Sequence, residues 1–146
     1  MKKVMFDISL FTPTQWNTAE EKQRFAYHFV LFVESDFSFN KFPKWFYQRL
    51  SNCFGNIARY DINGFYQSWF SNYERKVDFI VNCLNYKCYG DPSFSYPDVE
   101  KELQNWLVEN NILENLTNKL NEEIITRELI ELKRLKLKYE TKELVV

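Results

Sequence analysis

Residues 62–71 read INGFYQSWFS, and their spacing decides the fold class. Ile62, Phe65, Tyr66, Trp69 and Phe70 stand at i, i+3, i+4, i+7 and i+8, so one face of a helix collects all of them. A strand would scatter the same side chains over both faces. Asp61 stands just before the run, where its carboxylate can take an orphan N–H of the first turn.

Reading upstream, residues 37–60 (FSFNKFPKWFYQRLSNCFGNIARY) form a window with no acid between Asp36 and Asp61. Pro43 opens a helix over 43–54 that places Trp45, Phe46, Leu50 and Phe54 in register, and Gly55 closes it. Before the window, Thr18-Ala19-Glu20-Glu21 is a capping box for a helix over 18–35. Phe25, Phe29, Phe32 and Val33 share one face of that helix, with Ala26 and Val30 beside them. Phe25–Val33 also reads as a buried strand, but the capping box and the polar lead-in favour the helix. Thr12-Pro13 resembles a further helix start, and Val4–Phe11 alternates as a short strand or an extended arm would.

Downstream, Asn72 starts a helix over 73–88 with Val77, Ile80, Val81, Leu84 and Cys88 inward. A turn-rich loop follows from Gly90 to Ser95. Ser95 caps the next helix, 96–110, which has Pro97 and Asp98 in its first turn and buries Val99, Leu103, Trp106 and Leu107. Asn110-Asn111 breaks or bends the chain. The last helix, 113–140, carries two stripes: Leu113, Leu116, Leu120 and Ile124, then Ile125, Leu129, Leu132 and Leu135. Its final turns are expected to project from the body.

At 146 residues, with 3 Gly and 4 Pro, the chain is long enough for a core and poor in the turn residues that sandwiches and barrels need. Aromatics make up 18% of it, so the core is built from rings. The expected architecture is an all-α single-domain bundle of five to six helices, an aromatic-rich body over 1–112 with a long charged helix and tail over 113–146.

Signs of catalysis are sparse. The one histidine, His28, lies mid-helix among rings and reads as a core or boundary residue. Cys53, Cys83 and Cys88 have no metal-site spacing and read as buried thiols, so no metal and no cofactor is expected. Met1-Lys2-Lys3 leads into no signal-peptide core, and no apolar run approaches the roughly 20 residues of a membrane span. A cytoplasmic, non-membrane setting follows.

The net charge of −1 divides unevenly. Residues 1–96 hold 11 bases and 9 acids, whereas 97–146 hold 8 bases and 11 acids. The expected role is non-enzymatic macromolecular binding, most of all to protein, as an adaptor or inhibitor of the kind mobile elements or phages encode. The partner, another protein or a second copy, would meet Ile125, Leu129, Leu132 and Leu135 of the last helix. The alternative is a nucleic-acid accessory protein that neutralises phosphates with Lys41, Lys44, Arg49 and Arg59.

Overall fold

The computed structural model describes residues 6–54, 61–86 and 96–144. Among them there are six α-helices, two single 3-10 turns (Ile8–Leu10 and Phe39–Lys41) and no strand. The helices are α1 (Ala19–Glu34), α2 (Lys44–Phe54), α3 (Ile62–Phe70), α4 (Tyr73–Asn85), α5 (Pro97–Glu109) and α6 (Ile112–Leu144). The chain is therefore the all-α bundle that its periodicity predicts.

Local chemistry starts most of these helices where the sequence places them. The Thr18 hydroxyl accepts from the Glu21 N–H while the Glu21 carboxylate accepts from the Thr18 N–H, closing the capping box of α1. Asp61 caps α3 through the Gly64 N–H at 2.8 Å, and Asn72 caps α4 through the Arg75 N–H at 2.9 Å. Asn111 takes a left-handed φ of 53°, which separates α5 from α6.

The N-terminal segment is the packed arm rather than the strand, with Phe6 and Phe11 buried. Residues 6–11 form no strand: Asp7 accepts from the Ser9 backbone N–H at 2.9 Å and turns the chain into a 3-10 segment. Thr12-Pro13 starts no helix either. The Thr12 N–H goes to Asp98 and its carbonyl to Lys22, so this backbone is held by other elements. Val4 and Met5 lie outside the described residues. At α5 the N-cap is Tyr96, with no side-chain capping bond, and Ser95 lies outside the described residues. Gly55, Gly90 and Cys88 lie outside them as well.

The core is a continuous cluster of rings. Phe25, Phe29, Phe32, Phe42, Phe46, Phe54, Phe65, Phe70 and Phe79 are all buried. Phe32 meets Phe70 edge-on at 5.0 Å between centroids, and Phe42 stacks parallel to Phe65 at 6.0 Å. Such pairs each add about 0.5–1.5 kcal/mol beyond area burial. The inward face of α4 differs from the one expected: Phe79, Ile80 and Cys83 are deepest, while Val77, Val81 and Leu84 are only half-buried. The rotation brings Phe79 against Phe70 at 4.8 Å and Phe37 at 6.3 Å.

One corner of this core is strained. Phe37 N–H bonds to the Phe32 carbonyl and Asp36 N–H to that of Val33, a Schellman end to α1. Asp36 (φ 61°) occupies the left-handed position usually given to glycine, and Phe37 (φ 60°) follows it there. A bulky residue in this region costs on the order of 1–3 kcal/mol. Burial holds it: Phe37 is 1% exposed and stacks on Phe70 at 5.3 Å.

A buried charge ties α1 to α5 and to the N-terminal arm. Lys22 is 1% exposed, and its Nζ lies 2.7 Å from Asp98 Oδ1 and donates to the Thr12 carbonyl at 2.6 Å. The Tyr96 ring lies 5.2 Å away, giving the ammonium a third favourable contact. Lys22→Ala leaves the Thr12 carbonyl and Asp98 without this donor, and should lower unfolding free energy by about 3–5 kcal/mol in a urea titration. Lys22→Met, which restores the volume but not the donor, should lose most of the same amount.

Candidate interaction surfaces

The two surfaces singled out by the sequence sit on different parts of the bundle. The first is α6. Its N-terminal turns pack on the body, with Leu116 buried and Leu113 and Leu120 half-buried. Charges fix the same stretch: Lys119 Nζ lies 3.9 Å from Asp36 Oδ1 and 5.8 Å from the Tyr73 ring centroid. Asp36 also accepts from the Tyr73 hydroxyl at 2.7 Å and pairs with Lys76 at 3.6 Å. The hydrogen bond to Asp36, then burial, push the Tyr73 phenol up to about 12.

Beyond Glu123 the helix leaves the body. From Ile124 to Glu140 every side chain except Leu135 is exposed, and Leu135 is half-exposed. Its ion pairs run within the helix, Arg127 with Glu123 and Arg134 with Glu131. Ile125, Leu129 and Leu132 are 54%, 59% and 50% exposed. At about 100° per residue they fall, with Tyr139, within about 40° of one line, and Leu135 flanks it. Leu116, which faces the body, lies half a turn away. The stripe therefore points away from the side by which α6 is anchored.

The second surface surrounds Trp45 on α2. Lys41 and Lys44 are exposed, and Arg49 is partly exposed and lies 3.9 Å from Glu21. Arg59 lies outside the described residues. Most rings of the acid-free window are spent on the core: Phe37, Phe42, Phe46 and Phe54 are buried, and Phe39, 48% exposed, packs on Tyr66. Arg24 joins this surface from α1, with its guanidinium 4.3 Å from the Trp45 ring centroid. Glu21, Arg24, Trp45 and Arg49 line a small hollow of about 90 Å³. Arg24 escapes a sequence reading because its stacking partner lies on another helix, and no spacing along the chain links them.

His28 lies under this surface. Its Nε2 donates to the Lys41 carbonyl at 2.8 Å, and its ring packs between Trp45 (4.9 Å) and Phe46 (4.8 Å). The bond to a carbonyl places the proton on Nε2. Burial lowers its pKa, with help from the Lys41 and Arg24 charges, against the raising effect of the Lys41 carbonyl. This geometry makes His28 a packing residue that fixes the start of α2. Cys83 is a buried free thiol whose pKa is raised well above the usual value, chiefly by desolvation. Among the described residues no three His, Cys, Asp or Glu side chains converge as a metal site would require. No described helix is long and apolar enough to cross a membrane.

An apolar groove of about 390 Å³ lies between α4, α5 and the foot of α6, lined by Leu84, Leu107, Val108, Leu113 and Thr117. No protein-family model matches the chain, and no curated protein or solved structure matches it.

Folded His28 binds its proton less readily than an unfolded histidine with the ordinary value of 6.5. As pH falls through that value the unfolded chain takes up the proton first, so the fold loses stability from about pH 6.5 downward. Urea midpoints measured between pH 7.5 and 5 should fall for the natural chain, and fall less steeply for His28→Gln.

Proposed function

We propose that this protein is a non-enzymatic cytosolic binding protein, an adaptor or inhibitor, that engages a protein partner through the projecting half of α6. The observation that carries this reading is the exposure of Ile124, Ile125, Leu129, Ile130, Leu132, Leu137 and Tyr139 on a segment that packs on nothing in the described body. Apolar side chains gathered on one element and left in water mark an association surface. Burial of Leu116 seats the foot of α6 on the body, so the exposed stripe is carried on an anchored element. A chain bearing Leu129→Glu and Leu132→Glu should keep the circular dichroism and melting of the body. It should lose binding by about 2 kcal/mol or more, roughly thirtyfold, in affinity capture of its partner. Unchanged capture would remove the reading.

A second reading rests on a different observation. Arg24, Lys41 and Lys44 gather near Trp45 and make no ion pair among the described residues. Such a surface can follow a phosphate backbone. If it does, single-stranded RNA binds at low salt. Replacing Lys41 and Lys44 by Gln should then reduce the slope of log affinity against log salt by about 1.4, which is the loss of two phosphate contacts. A slope that does not change excludes these lysines.

A further inference from the structure

We infer that the partner of the projecting helix is a second copy of this chain, bound antiparallel along α6 about a twofold axis near Leu132. This rests on the protein-binding reading above and names the partner for it. The first observation is charge. Residues 121–131 hold four acids (Glu122, Glu123, Glu128, Glu131) and one base (Arg127), a net of −3. Residues 133–143 hold five bases (Lys133, Arg134, Lys136, Lys138, Lys142) and two acids (Glu140, Glu143), a net of +3. An antiparallel copy lays each half along its opposite, whereas a parallel copy lays each half along itself.

The second observation is the stripe, which is symmetric about the same point. With Leu132 meeting its own copy, Leu129 lies at the height of the partner's Leu135, and Ile125 at that of the partner's Tyr139. Glu128 then lies level with the partner's Lys136. Lys136, which breaks the apolar pattern in a single helix, thus gains a carboxylate beside it. In a parallel pair Glu128 and Lys136 would each face themselves.

Ile130 and Leu137 lie on the far side of the helix from the stripe and remain at the outer surface of the pair. The stripe alone does not select this geometry. The coincidence of its centre with the charge reversal does.

Sedimentation equilibrium of the full chain over a wide concentration range tests the inference. A reversible two-chain species is expected, and Leu132→Glu, which sets two carboxylates together at the axis, should abolish it. Glu128→Lys and Lys136→Glu should each weaken pairing about three- to tenfold, and the double variant should recover affinity. Recovery is specific to the antiparallel pair, because in a parallel one each substitution exchanges one like-charge contact for another. A chain that stays monomeric, a higher assembly, or a double variant no better than the singles would overturn the inference. A monomer whose Leu129→Glu, Leu132→Glu variant still loses capture of another protein would overturn self-pairing alone and leave the protein-binding reading in place.

Discussion

Two consecutive residues in left-handed backbone, Asp36 and Phe37, hold the ring core and the long helix in one frame. The turn ends α1 and sends Phe37 under Phe32, Phe70 and Phe79, so that the first helix and the α3–α4 corner close on each other. The same turn presents the Asp36 carboxylate to Tyr73, Lys76 and Lys119. Glycine would adopt this backbone without strain but would offer no carboxylate, and the foot of α6 would lose its charged contact. The strain is retained because one residue must both turn the chain and bind three neighbours.

Helix formation was legible in the sequence wherever the determinant is local. The Thr18–Glu21 box, the Asp61 cap and the period of residues 62–70 involve partners within a few positions, and each forms as the spacing requires. Contacts between elements were not legible. Lys22 reads as one of several charges in the first turn of a helix, and only the return of α5 brings Asp98 and Tyr96 to it. Thr12 failed as a helix start for the same reason, since distant groups claimed its backbone. On α4 the apolar residues are numerous enough to offer two faces, and the position of the α3 rings chose the one with Phe79 and Cys83.

The candidate surfaces divide in the same way. The stripe Ile125, Leu129, Leu132 and Leu135 could be read from periodicity, but its direction could not. That direction depends on which side of α6 meets α4. Around Trp45 the sequence suggested rings and bases acting together, whereas the fold separates them. Most of the rings enter the core, the lysines stay in water, and Arg24 from α1 lies on the Trp45 ring. High aromatic content here is a property of the interior, built from centroid spacings near 5–6 Å, and only the charges reach the surface as a group.

The departure of α6 from the body has a thermodynamic consequence. Past Glu123 the backbone continues unbroken, yet the side chains that would join it to the cooperative core are in solvent. Helix in that stretch rests on propensity and on intrahelical pairs such as Arg134 with Glu131, which are weak and screened by salt. One polypeptide thus contains a block that melts all at once and a rod that frays by degrees, with no tertiary contact among the described residues to synchronise them. Whatever covers the rod sets the temperature at which it remains a helix.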